Sequence, residues 1–215
     1  MKTAACIAAT MLLGVATLPA QDHDPDQGVA GGGDLPAGWA IRTDKGTKQD
    51  QVKFVAMGQG YHVTLGPRTI FYRESDAVDG AYSVNVTYTQ TQAPRHAEAY
   101  GLILGGSNLQ QDDQRYSYFL IRGNGQFLVK NRNGSETSSV SGSWTSHAAI
   151  QAQGASGKST NTLSVVVEKS QVRFMVNGEE VFAGPVDQFQ TKGIAGLRVN
   201  HNLDLHIDGF VVEQS

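Results

Sequence analysis

Along the last third of the chain, apolar and polar residues alternate in short runs broken by tight-turn residues, with almost no helical spacing between them. Period-two alternation is the mark of strands, whose successive side chains point to opposite faces of a sheet. Residues 163–168 and 171–176 form two such runs joined through Lys169-Ser170, and Asn177-Gly178 follows. Asn-Gly predicts a tight hairpin, because both central positions of that turn need positive φ. Residues 180–182, 193–199 and 204–212 add further strands. Upstream, 39–41, 52–56, 60–65, 68–72, 98–104, 115–122 and 126–130 read the same way, with a charged turn over 44–50 and polar loops over 90–97 and 105–114. Residues 81–89 alternate most cleanly: Tyr82, Val84, Val86 and Tyr88 line one side, and Ser83, Asn85, Thr87 and Thr89 the other. About a dozen short strands at even spacing predict an all-β fold of two antiparallel sheets packed face to face, with a barrel as the alternative.

The beginning of the chain changes this picture only at its edge. Met1-Lys2 precede an uncharged stretch over 3–18, and small residues at 17–20 stand before the polar 21–26. This predicts a cleavable signal peptide over 1–20 and a secreted or periplasmic destination. The apolar run is shorter than the roughly 20 residues a spanning helix needs, so no membrane insertion is expected. Cys6 is the single cysteine and falls inside that signal, so disulfides and a lipid anchor are not expected, a habit commoner in bacterial export. Residues 21–37, rich in Gly, Asp and Pro, read as a flexible leader, leaving 38–215 as one folded domain. A net charge of −3 with no basic block argues against nucleic acid as a partner.

The order of features from Ala99 onward is similar to that of the concanavalin A-like lectin/glucanase sandwiches, laminin G-like domains among them. The resemblance is carried by Tyr100-Gly-Leu-Ile-Leu104, Tyr116-Ser-Tyr-Phe-Leu-Ile121, Gly125-Gln-Phe127, Trp144 with His147, Asn161-Thr-Leu-Ser-Val165, Val176-Asn-Gly178, Gly193-Ile-Ala-Gly-Leu197 and Ile207-Asp-Gly-Phe210. It implies a two-sheet antiparallel jelly-roll β-sandwich, and it implies a non-catalytic module for a carbohydrate or glycan ligand. A looser likeness, through Gly38-Trp39 and Asp208-Gly-Phe210, is to secreted bacterial 3-keto-disaccharide hydrolase-type domains. That likeness implies a hydrolase or lyase acting on glycosides, although Tyr100-Gly-Leu-Ile-Leu-Gly-Gly106 departs from the more polar central strand of that group. A laminin G-like protein-interaction domain is the third possibility the fold opens.

The chemistry-bearing residues are sparse. Glycosidases need two carboxylates flanking the scissile bond, and the Glu-x-Asp-x-x-Glu strand that marks them in some sandwiches is absent. No Gly-x-Ser-x-Gly elbow occurs either. Sugar recognition combines aromatic platforms with planar hydrogen-bonding groups. The candidates for it are Tyr100, Arg115, Tyr118, Arg122, Trp144, His147, Arg198 and His201. Alternation puts Tyr116, Tyr118 and Arg122 on one side of their strand, and Arg115 with Ser117 on the other. Trp144 also reads as a core or sheet-edge anchor. Lys130 and Arg132, with Asn131 and Asn133, read as a solvated hairpin that can ring a cleft. Glu98 and His201 are the candidates for acid-base work, should they meet. His201, Asp204 and His206 form the densest group of potential metal ligands. The simpler expectation there is no cofactor, with Asp204, His206 and Asp208 on a solvated face and Leu203, Leu205 and Ile207 buried behind.

Overall fold

A computed structural model describes residues 26–44, 46 and 48–215. The expected signal peptide, with Cys6, lies outside the described residues. Among those residues fifteen strands form: β1 (Trp39–Thr43), β2 (Val52–Met57), β3 (Gly60–Leu65), β4 (Thr69–Val78), β5 (Tyr82–Gln90), β6 (Ala99–Ser107), β7 (Arg115–Arg122), β8 (Gln126–Asn133), β9 (Glu136–Ser139), β10 (Thr145–Ser146), β11 (Ser159–Val167), β12 (Gln171–Val176), β13 (Glu179–Pro185), β14 (Gly193–Val199) and β15 (Asp204–Gln214). All pairings are antiparallel. One sheet runs β1-β4-β14-β6-β7-β8-β10, with β9 also on β8; the other runs β13-β12-β11-β5-β15-β3-β2. This is the two-sheet jelly-roll sandwich of the concanavalin A-like kind. No helix among the described residues is long and apolar enough to cross a membrane.

Alternation explains the sandwich. Tyr82, Val84, Val86 and Tyr88 on β5 point inward and are at most 1% exposed, and they meet Phe71, Tyr100, Phe119 and Phe174 in one core. Fully burying a side chain of this size contributes about 1.5–3 kcal/mol, which makes the interface between the sheets the main stabilising element. Asn177 (φ 51) and Gly178 (φ 87) form the tight turn between β12 and β13, where Val176 pairs with Glu179. The expected strands are present, and β4, β13 and β15 run longer than the alternation suggests. Strands β9 and β10 were not expected. Part of the stretch read as a leader lies against the body: the Gln27 N–H donates to Asn202 Oδ1 at 2.7 Å, Gly31 N–H to Asp50 O at 2.9 Å and Gly32 N–H to Val52 O at 3.0 Å. A Cβ on Gly31 would sit 2.5 Å from the Val52 backbone, so only glycine permits this approach.

The two outer faces differ in kind. That of the second sheet is polar, with threonine pairs Thr87–Thr162 and Thr89–Thr160 bridging strands at 2.8 and 2.9 Å. That of the first sheet carries a second buried cluster, including Ile70, Tyr72, Ile103, Tyr116, Tyr118 and Leu120. The β6–β7 loop contributes Leu109 to this cluster, and Trp144 packs against it.

Candidate functional site on the outer face of the first sheet

Strand register assembles this face. One cross-strand row holds Ile70, Arg198, Gly101, Leu120 and Leu128; the next holds Tyr72, Gly196, Ile103, Tyr118 and Lys130; a third holds Ala99, Arg122 and Gln126. Gly101 and Gly196, beside Arg198 across and along the strands, have no side chain. The Arg198 guanidinium lies 5.0 Å from the Tyr118 ring centroid, a cation-π distance. Arg198 is 4% exposed and donates from Nη1 to the Tyr116 hydroxyl at 2.7 Å.

A carboxylate anchors the charges. Asp44, just after β1, has Arg68, Arg132 and Arg198 nitrogens at 3.3, 3.4 and 3.5 Å. Burial alone would raise the Asp44 carboxyl, but Arg198, Arg68 and Arg132 outweigh it and hold the group below its ordinary range. The guanidinium of Arg198 is in turn raised: desolvation opposes its charge, and Tyr116, Asp44 and Tyr118 more than compensate. Lys130 is lowered by desolvation and by the neighbouring Arg198 and Arg68, and donates to Thr137 Oγ1 at 2.9 Å.

Further along the face, the Arg122 guanidinium lies 4.2 Å from the Trp144 ring centroid, and its Nε–H donates to Gln126 Oε1 at 3.0 Å. Desolvation lowers Arg122, and the nearby Glu98 carboxylate partly offsets this. His201 approaches Asp26 with Nδ1 2.6 Å from Oδ1. Burial and the Arg68 charge nevertheless push its imidazole below the ordinary value, so the neutral ring is favoured at pH 7. The Asn200 N–H donates to Ala99 O at 2.8 Å, which runs the chain leading to His201 beside the start of β6, next to Glu98.

The candidates from the sequence therefore divide. Tyr118, Arg122, Trp144 and Arg198 share the outer face, and Glu98 and His201 belong to the neighbouring chain ends. Tyr100 is not on this surface. Its inward phase on β6 packs it into the core 5.0 Å from the Tyr88 ring, fully buried and out of reach of an outer-face ligand. Arg115 is exposed at the start of β7 on the other phase. His147 follows β10 with its ring 6.4 Å from Phe127, and its Nδ1 accepts from the Ala149 N–H. Asp204 and His206 lie on the opposite sheet, where His62 Nε2 approaches Asp204 at 3.3 Å, His206 approaches Asp208 at 3.2 Å, and Leu205 and Ile207 are buried between them. Among the described residues no group of three or more His, Cys, Asp or Glu is arranged to hold a metal. Asp44, Arg68 and Arg42 escaped the sequence reading, since nothing in a single charged turn announces which strands of an eight-stranded sheet it will meet. Lys130 and Arg132 were legible as charges. Their place beside Tyr118 and Tyr116 depends on the β7–β8 register.

No protein-family model matches the chain, and no curated protein does. Solved structures do match in fold. The carbohydrate-binding module CBM66 from Bacillus subtilis superposes with a TM-score of 0.62 at 10% identity, over 82% of this chain and 96% of that one. A Bacillus subtilis protein of unknown function with a galectin-like fold gives 0.60 at 12% identity, over 82% and 89%. The mixed-linkage-glucan GH16 protein of Bacteroides ovatus, solved with a G4G4G3G product, gives 0.56 at 8% identity, over 81% and 94%.

Proposed function

We propose that this chain is an exported, non-catalytic carbohydrate-binding module that takes a glycan on the outer face of its first sheet. The observation that carries the reading is the Arg122 guanidinium stacked on the half-buried Trp144, on the same sheet face as the buried Arg198–Tyr118 stack, whereas the other outer face carries threonine pairs and the His62–Asp204 and His206–Asp208 contacts. A pyranose offers an apolar CH face to an aromatic ring and a rim of hydroxyls to planar donors, and Trp144, half-buried beside Arg122 and Gln126, supplies both. The fold likeness to a carbohydrate-binding module supports the architecture for such a role. Removal of residues 1–20 as a signal peptide completes the proposal.

A glycan array followed by calorimetric titration tests it. At least one sugar class binds, and Trp144→Ala weakens that binding about tenfold or more, as loss of a stacking platform does. Undiminished affinity in Trp144→Ala, or silence across the array, overturns the reading. A glycoside-active enzyme is the second reading, favoured by the contact of His201 with Asp26 beside the Glu98 strand end. Product release from glycosides or 3-keto-glycosides, lost in both Glu98→Gln and His201→Ala, distinguishes it from simple binding.

A further inference from the structure

We infer that the ligand of this face is an acidic glycan, one carrying carboxylate or sulfate groups. The inference rests on the glycan-binding reading and specifies its substrate class. Its basis is a local charge imbalance in a chain whose net charge is −3. Three cations, Arg68, Arg132 and Arg198, converge around one carboxylate, Asp44, and a fourth, Lys130, lies close enough to feel the charges of Arg198 and Arg68. The bordering charges are already matched: Arg42 meets Asp112 at 3.0 Å, Lys48 meets Asp26 at 2.8 Å, and Arg122 feels Glu98. Next to these matched pairs, the Asp44 group holds three arginines to one carboxylate.

Burial sharpens the point. Arg198 is 4% exposed and keeps an Nε–H that is buried with no hydrogen-bond partner. A buried guanidinium is costly unless its charge and its donors are met. One carboxylate shared among three arginines meets them only in part. A ligand oxyanion reaching the exposed Arg68 side of the group supplies the missing countercharge, because carboxylate and sulfate accept charge-assisted hydrogen bonds in the planar geometry guanidinium offers. A neutral sugar brings hydroxyls but no countercharge. Arg68, with its side chain 40% exposed, is open to solvent beside the half-buried Lys130 and Arg132 of β8, and these three are placed to meet the anion first. Arg122 on Trp144 then lies along the same face for an adjoining sugar ring.

Titration of the full chain with matched polymers tests this. The probes are oligogalacturonate, which is carboxylated, a sulfated galactan, and an uncharged galactan of equal length. At least one acidic probe binds about tenfold or more tightly than the uncharged one, and that affinity falls about tenfold between 50 and 500 mM NaCl as the contacts are screened. The two acidic probes separate carboxylate from sulfate as the source. Lys130→Gln and Arg132→Gln, at partly exposed positions that spare the core, each weaken the acidic probe severalfold and leave the Trp144-dependent contribution in place. Equal affinity for the uncharged galactan, or affinity indifferent to salt, overturns the acidic inference while the glycan reading stands. No binding by any of the three probes overturns the acidic inference too, and silence across the wider array as well removes the glycan reading with it.

Discussion

Asp44 shows how one residue organises a surface. Its side chain is 24% exposed, yet among the described residues it is the one carboxylate within 3.5 Å of Arg68, Arg132 and Arg198. Taking that carboxylate away leaves three guanidiniums facing one another, so Asp44→Asn is expected to destabilise the fold by about 2 kcal/mol at pH 7, between the values for exposed and buried pairs. The pH dependence has a definite sign. A carboxyl whose folded pKa is depressed contributes fully above its ordinary value of 3.8, and that contribution disappears as pH falls through the lowered pKa. Urea unfolding at pH 7 and at pH 3 should therefore show parent and Asp44→Asn converging in acid. A gap of the same size at both values would mean that charge is not what Asp44 contributes. His201 acts in the same direction at higher pH. The fold favours its neutral ring, so acidifying from about 6.5 downward costs stability until the depressed pKa is passed.

At the scale of elements, the β12–β13 hairpin is the best-defined case. Asn177 and Gly178 both sit at positive φ, and Asn177 also accepts from the Thr162 N–H and donates to Ala149 O, each at 2.8 Å. A Cβ on Gly178 would meet nothing within 4 Å, so the only penalty in Gly178→Ala is the left-handed backbone. The expected loss is about 1 kcal/mol by chemical denaturation, and a neutral substitution would show that the turn relaxes to another type. This hairpin was legible because its signal is local. The phase of β7 was legible for the same reason, and alternation alone put Tyr118 and Arg122 together. Strands β9 and β10 were not, since Glu136–Ser139 is exposed throughout and carries no apolar alternation, and Thr145–Ser146 is only two residues long. Tyr100 misled for a related reason. An apolar run such as 100–104 on a central strand is buried on both faces, so period two no longer marks which side is wet.

For the molecule as a whole, the sandwich was readable from pattern, while its strand order was not. The order brings β14 between β4 and β6, and with it Arg198 over Tyr118, two residues separated by eighty positions in sequence. The site is thus a product of topology: cations from just before β4, from β8 and from β14 converge on the carboxylate just after β1. The division between a wet face of threonines, histidines and carboxylates and a cation-aromatic face is the feature on which the functional account depends. Chemical-shift mapping of the labelled protein during titration with an acidic oligosaccharide tests it most directly. The account predicts saturable shifts of the Trp144 indole N–H and of the backbone amides of Arg122, Lys130 and Arg198, with Thr87, Thr162 and His206 unmoved. Shifts confined to those last three, on the second sheet, would contradict it.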